Sequence, residues 1–248
     1  METTSDKAGF LDGARAVLGG ARFIVTKPAN WPLAAVPVGV LFALGSALGG
    51  LGLWLVAHEA QQLFQGGSAW MAVGRWVFRV LASLVALLVA FLVGVSLAQP
   101  LSGVALETLA RRQEAALGGR AWPEAPFLPS FWRGLRVNLT GLALGTPLLA
   151  ALLVVGLLVP VAAVVTVPLK FLVSSVLVGW DLIDYPLSVR GWRVRDRWRW
   201  IRAHRWPFLG FGMACAALLL IPGLGLLLLP VGAAGATRLV HRTDPAPG

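Results

Sequence analysis

Arginine supplies most of the chemistry this sequence can offer. Seven arginines fall between residues 190 and 205. If 192–206 is helical, Arg195, Arg199 and Arg202 form one stripe at i, i+4, i+7 spacing, beside an apolar stripe of Val194, Trp198 and Ile201. A guanidinium fork can donate two hydrogen bonds to an oxyanion, so the stripe could gather anions electrostatically at a vestibule. The competing reading is a basic helix lying on anionic headgroups, with Trp192, Trp198, Trp200 and Trp206 as interfacial anchors. The general rules for basic and aromatic residues at membranes favour the second. Interleaved Arg and Trp also occur in nucleic-acid binders, but apolar segments on both sides place this run against a membrane, and no nucleic acid is expected.

Three further places carry charge with a purpose to explain. Glu107 and Arg111 form an i, i+4 acid–base pair with Arg112 adjacent; on an ordinary helix surface such a pair contributes only about 0.2–0.5 kcal/mol. Asp181 and Asp184 follow an apolar stretch and precede the arginine run, which suits pairing with arginines and a helix end at Tyr185-Pro186. Lys170 stands alone inside an apolar region, where a central charge costs about 2.5–3.5 kcal/mol on insertion scales. It must pair, meet water or snorkel, and its long stem makes snorkelling the simple solution. No nucleophile–base–orienter set, phosphate loop or carboxylate dyad occurs, so neither an enzyme nor a cofactor is expected. Cys215 is the single cysteine, and His58, His204 and His241 lie far apart. That excludes an internal disulfide and offers no metal-ligand spacing.

The elements that must position these groups belong to a membrane protein. Of 248 residues, 57% are hydrophobic and 13% charged, and mean hydropathy is +0.77; soluble domains carry about 25% charged residues. Four regions satisfy the need for about 20 apolar residues per span: Leu33 to Ala57, Val77 to Ala98, Leu139 to Trp180 and Pro207 to Val240. The first is too long for a signal-peptide core, so no cleavage is expected. The last two are too long for one helix and are interrupted alike, by Leu-Leu-Val-Pro160 with Pro168 and by Leu-Leu-Ile-Pro222 with Pro230. Proline lacks a backbone donor and clashes one turn back, so each reads as a helical hairpin with its tip near Pro160 or Pro222. The arms of the second hairpin are short: about 15 residues reach ~23 Å against a hydrocarbon core of ~30 Å. A wedge that turns inside the bilayer must bury its tip in protein or line water. Gly45-x-x-x-Gly49 and Gly141-x-x-x-Gly145 would permit close helix contacts.

Charge placement supports hairpins. With two spans followed by two returning hairpins, all of the 21 Lys and Arg residues share one side except Arg75, Arg79 and Lys170. The positive-inside tendency makes that side cytoplasmic, with both termini on it. Ahead of the first span, Phe10, Ala14, Val17, Leu18, Ala21, Ile24 and Val25 recur at helical spacing while Asp12, Arg15 and Arg22 occupy other faces. Two readings stay open for this amphipathic helix: it lies in the lipid interface, or it packs on the protein's own cytoplasmic face. The organisation is one integral membrane domain. It comprises an amphipathic segment 1–32, two spanning helices within 33–98, a cytoplasmic segment 99–138, a hairpin over 139–180, an Arg/Trp-rich segment 181–206 and a second hairpin over 207–240.

A series of motifs adds to this. Trp180-Asp181-Leu182-Ile183-Asp184-Tyr185-Pro186 is followed by the arginine run, Gly210-Phe211-Gly212, Ile221-Pro222, Pro230 and Gly235-Ala236-Thr237. Upstream stands Ala98-Gln99-Pro100-Leu101-Ser102 with Glu107. This order resembles the CysZ-type sulfate permeases and the wider etoposide-induced-protein family that contains them. The resemblance implies two long spanning helices plus two half-membrane hairpins, a homo-oligomer, and passage of sulfate across a bacterial inner membrane to feed cysteine synthesis. It implies a role at the pore mouth for Glu107, Arg111 and Arg112. The family's permeases carry a Gly-Leu-Arg motif before the first span whose arginine helps bind the anion; the matching stretch here, Pro28-Ala29-Asn30-Trp31, has none.

The expectation is therefore an all-α inner-membrane permease or channel for sulfate or a related oxyanion. Its expected substrate-binding residues are Glu107, Arg111, Arg112, Lys170, Arg195, Arg199 and Arg202. Its expected partners are the anion, anionic lipids and further copies of itself. The alternative is a family member that scaffolds or remodels membranes without conducting anything.

Overall fold

The computed structural model describes residues 8–66, 68–123, 126–159, 162–221 and 224–244. These form α-helices joined by short turns: α1 Phe10–Val25, a 3-10 turn Pro28–Asn30, α2 Trp31–Leu63, α3 Ala69–Leu101, α4 Gly103–Ala116, α5 Phe127–Leu158, α6 Ala163–Val189, α7 Val194–Ala203, α8 Arg205–Leu219 and α9 Gly225–Thr243. No strand occurs among the described residues. The all-α membrane fold is as expected.

Four helices, α2, α3, α5 and α6, are long and apolar enough to cross a membrane. The first two match the two expected spans. The hairpin over 139–180 is larger than expected: its arms α5 and α6 have 32 and 27 residues, about 48 and 40 Å at 1.5 Å per residue. The helix starts earlier, at Phe127, and runs past Trp180 through Asp-Tyr-Pro to Val189. The expected helix end at Tyr185-Pro186 is thus corrected. Pro186 gives up one hydrogen bond and crowds the carbonyl one turn before it, yet the helix runs three residues further, and the stop comes where Gly191, at φ +72°, takes the left-handed conformation that suits glycine. The second hairpin stays short, with 15 residues in α8 and 19 in α9. Pro168 and Pro230 lie inside α6 and α9, whereas the expected tips at Pro160 and Pro222 lie outside the described residues.

The hairpins all start and finish at one end, where the core sits. There α1, α4, the second half of α6, α8 and α9 bury Val17, Phe23, Leu106, Leu109, Leu182, Leu187, Phe208, Phe211, Leu239 and Val240. Away from this base, α2 packs on α3 and α5 on α6, with α3 touching α5. Their outward residues, such as Phe42, Trp54, Leu84, Phe91, Leu157 and Val164, are exposed. In water such surface would drive aggregation; in lipid it is matched to its solvent.

Helix α1 packs on the protein itself. Gly13, Ala16, Val17, Gly20, Phe23 and Ile24 face inward, and α8 and α9 receive them. The approach is backbone to backbone: a Cβ on Gly13 would stand 1.9 Å from the Pro207 carbonyl oxygen, one on Gly210 1.9 Å from that of Phe10, and one on Gly20 2.4 Å from that of Val231. Leu11, Leu18 and Val25 form an exposed outer stripe. Of the glycine spacings, Gly145 packs on Leu177 and Gly49 approaches Leu87, while a Cβ on Gly45 would meet nothing within 4 Å.

Electrostatics pins the start of α1. The Gly9 amide donates to the Asp12 carboxylate at 2.8 Å, and Arg242 of α9 donates to it at 2.8 Å. The Gly9 amide, then Arg242 and Arg15, hold the Asp12 carboxyl below its ordinary value against the opposing effect of burial.

Two predictions arise. Gly13→Ala and Gly210→Ala each lose about 1–3 kcal/mol or more through overpacking against backbone, read as a lower unfolding temperature in detergent, whereas Gly45→Ala leaves it unchanged. Because the folded Asp12 carboxyl is depressed, its stabilisation is present above the unfolded value of about 3.9 and fades as pH falls through the folded value. Asp12→Asn therefore unfolds earlier than wild type near neutral pH, and thermal melts of the two converge below about pH 4.

Candidate functional site

The base of the hairpins holds three buried carboxylates, each facing cations from other helices. Glu107 on α4 is the first. Arg111, one turn further along, reaches it at 3.4 Å, and the Ser130 hydroxyl at the start of α5 donates to it at 3.0 Å. Arg133 of α5 pairs with its other oxygen and donates to Ser130 at 3.2 Å. Local sequence makes this geometry: four residues separate Glu107 from Arg111 and three separate Ser130 from Arg133, so each pair shares a helix face.

Asp184 on α6 is the second. Arg197 from α7 forms an ion pair with it, and Ser188 Oγ, one turn on, donates to it at 3.1 Å while accepting from Arg197 at 3.0 Å. Burial pulls the Arg197 guanidinium down to about 10, and the nearby Arg133 charge acts in the same direction. It still carries its proton near neutral pH. The third is Glu114 at the end of α4, met by Arg190 at 2.7 Å and by His241 Nδ1 at 3.2 Å. Arg190 also donates to the Asp244 carbonyl at 2.5 Å, so this centre ties α4, the end of α6 and the end of α9.

Between the first two centres lies a narrow slot lined by Gln99, Glu107, Arg133, Asp181, Asp184 and Tyr185. It has room for a single water molecule at most. Oδ1 of Asp181 is buried there with no hydrogen-bond partner.

The expected binding residues are distributed over three places. Glu107 and Arg111 are inside the first ion-pair centre. Arg112, next in sequence, points elsewhere: it donates to the Ala29 carbonyl at 2.8 Å and to Asn30 Oδ1 at 3.2 Å. This places a guanidinium, with no carboxylate partner among the described residues, at the Pro28–Asn30 turn just before α2. Lys170 is within the α5–α6 hairpin, its ammonium near Gly156 and Thr166. Arg195, Arg199 and Arg202 share the outer face of α7 with Val194 and Trp198 around a shallow groove, and Arg199 pairs with Asp196. The helix there is shorter than 192–206, spanning Val194–Ala203. Its inner face is Arg197, Trp200 and Ile201; Trp198 packs on Trp180, and Trp206 is exposed.

Sequence reasoning did not single out Arg197, Ser130, Arg133, Glu114, Arg190 or His241. One local signal was available: Arg197, Trp200 and Ile201 at i, i+3, i+4 describe a buried helical face with an arginine in it. The other partners are separated by tens of residues, as in Arg190 to Glu114 or His241 to Glu114, and carry no local pattern. Among the described residues no three His, Cys, Asp or Glu side chains gather as a metal ion would need.

The charge at Glu107 predicts a strong asymmetry. Glu107→Ala leaves Arg111 buried without a counter-charge and costs about 3–5 kcal/mol; Arg133→Ala costs less, because that arginine is about one-third exposed and Arg111 still faces Glu107. Unfolding temperatures of the two purified variants in the same detergent give the comparison.

Similarity to known proteins extends over most of the chain. The family described as sulfate transporter CysZ/etoposide-induced protein 2.4 matches residues 16–230. The sulfate transporter CysZ of Pseudomonas paraeruginosa is 25% identical over 235 residues, which is 92% of this chain and 94% of that protein. The sulfate transporter CysZ of Pseudomonas aeruginosa is likewise 25% identical over 235 residues, 92% of this chain and 94% of its own. That of Pseudomonas fluorescens is 36% identical over 80 residues, 32% of each chain. With four membrane-length helices and a family match from the first helix into the last, this multi-pass membrane protein belongs to the sulfate transporter CysZ/etoposide-induced protein 2.4 family.

Proposed function

We propose that this protein is a permease or channel for sulfate or a related oxyanion in a bacterial inner membrane, supplying sulfur assimilation. The observation that carries the reading is the match along 92% of the chain to proteins named sulfate transporter CysZ. In this reading the base of the hairpins, with its arginines, faces the cytoplasm together with both termini, in keeping with the bias of basic residues toward that side.

Charge balance nominates the contact residues. A divalent oxyanion leaving water needs donors that are not already neutralised. Arg190 and Arg197 each face a buried carboxylate of their own, while Arg111 and Arg133 share Glu107, so three of these four charges are balanced within the fold. Arg112 instead donates to two neutral oxygens and keeps its charge for a passing anion, at the stretch where the permeases' arginine would stand. We assign it the first contact at the pore mouth, with Glu107 and Arg111 holding α4 in place behind it. Arg195, Arg199 and Arg202 gather anions or rest on anionic headgroups, and Lys170 meets the anion within the hairpin.

The slot between Glu107 and Asp184 is too small for sulfate. A route between copies of the chain would avoid this slot, with the exposed faces of α2, α3, α5 and α6 available for assembly. The narrowness of the slot favours the second reading, a scaffold that conducts nothing.

Radiolabelled sulfate uptake into liposomes holding the purified protein separates the two. Saturable uptake, blocked by sulfite or selenate but not by chloride, is the expected result. Arg112→Ala lowers that uptake about tenfold or more, as loss of a charge-assisted hydrogen bond of about 1.5–3 kcal/mol requires, with assembly unchanged. No uptake by folded, oligomeric protein leaves the scaffold as the function.

A further inference from the structure

A second cluster of arginines lies away from the three ion-pair centres. Along the seam between α1 and α9, Arg15, Arg22, Arg238 and Arg242 line an open groove of about 470 Å³ with a single carboxylate, Asp12. Asp12 is already paired with Arg242. Arg15, Arg22 and Arg238 have no ion-pair partner among the described residues, and all three are exposed. The helices run antiparallel here: Asp12 meets Arg242, while Gly20 abuts Val231 and Gly235. The arginines therefore form a ladder along the seam. Gly19 is part of its construction. A Cβ at that position would stand 2.5 Å from Cδ of Arg238, so the missing side chain lets the Arg238 stem cross α1.

The groove is not purely polar. Leu18, 71% exposed, is part of its wall, and it belongs to the outer stripe of α1 with Leu11 and Val25, both exposed. A free anion would use the guanidinium groups and leave this stripe bare. A ligand with a phosphate head and an acyl tail would use both.

We propose that the α1–α9 seam binds an anionic phospholipid, with its headgroup phosphate held by Arg15, Arg22 and Arg238 and its acyl chain lying along Leu11, Leu18 and Val25. Arginine's fork suits the phosphate oxygens, and the charge of the groove selects an acidic headgroup over a zwitterionic one. Binding there would fasten α1 to the second hairpin, because the headgroup bridges arginines of both helices.

The test is thermal unfolding of the full-length protein in detergent, titrated with dioctanoyl phosphatidylglycerol. A saturable rise in unfolding temperature is expected, with dioctanoyl phosphatidylcholine giving none. Arg15→Gln with Arg22→Gln should weaken the apparent affinity roughly 30-fold, about fivefold for each basic residue at an anionic lipid surface. Arg15 also attracts the Asp12 carboxylate, so each variant's lipid-induced shift is read from its own starting unfolding temperature. Arg238→Gln provides a second variant, expected about fivefold weaker. The combination Arg120→Gln with Arg136→Gln, two exposed arginines outside the groove, keeps the full shift. The proposal is overturned if inorganic phosphate or sulfate alone reproduces the shift, if phosphatidylcholine matches phosphatidylglycerol, or if the α1 pair binds as wild type while the Arg120/Arg136 combination does not. No transport enters these readouts, so they stand or fall separately from sulfate uptake.

Discussion

Three carboxylates with almost no access to solvent, Glu107, Glu114 and Asp184, govern where the helices of this protein meet. Burying a carboxylate costs desolvation that only a nearby cation offsets, and each of the three has a cation from a different helix beside it. Glu107 holds the start of α5 through Arg133, Asp184 holds α7 through Arg197, and Glu114 joins the ends of α6 and α9 through Arg190 and His241. Replacing such a pair with apolar residues can be neutral, but removing one partner is not. The pairs therefore act as registers. A hairpin displaced by one turn would leave an unpaired charge in the core.

The rest of the fold divides according to solvent. At the base, small residues allow helices to approach at backbone distance, as at Gly13, Gly20 and Gly210, and the apolar core is conventional. Beyond it, α2, α3, α5 and α6 carry large apolar side chains on their outward faces, exposed in the isolated chain. No hydrophobic force draws such helices together in lipid, so their pairing depends on packing and on being tethered at the base. The ion-pair centres provide the tether. This explains how a chain with so few charged residues buries several of them: they are concentrated where the apolar segments need anchoring.

The same accounting of charge links structure to the proposed transport role. Arginines that are neutralised in the core cannot also hold a divalent anion, so sequence position is a poor guide to which arginine is available. Arg111 and Arg112 are neighbours, yet one faces Glu107 and the other the Pro28–Asn30 turn. Around α1 and α9 the balance differs again, with four arginines against one carboxylate. Two kinds of basic site thus coexist at one end of the molecule, one beside the start of the first span and one along the outer seam.

Much of this was legible in the sequence because membrane insertion imposes simple local rules. Length and apolarity locate α2 and α3, helical periodicity defines α1, and repeated proline interruption marks both long regions as hairpins; the Asp-Tyr-Pro to Gly-Ala-Thr series carries the family. What the linear pattern could not decide depended on partners distant in sequence. Periodicity cannot distinguish a helix lying on lipid from one lying on its own protein, since both present an apolar face; the backbone contacts of Gly13 and Gly210 settle this for α1. Proline at 186 reads as a stop, yet α6 continues three residues past it. Helix phase indicated that Arg195, Arg199 and Arg202 share a face, but which arginines would be buried was decided by Glu107, Glu114 and Asp184. A buried charge is tolerated only opposite its counter-charge, and that pairing exists only once the helices have come together.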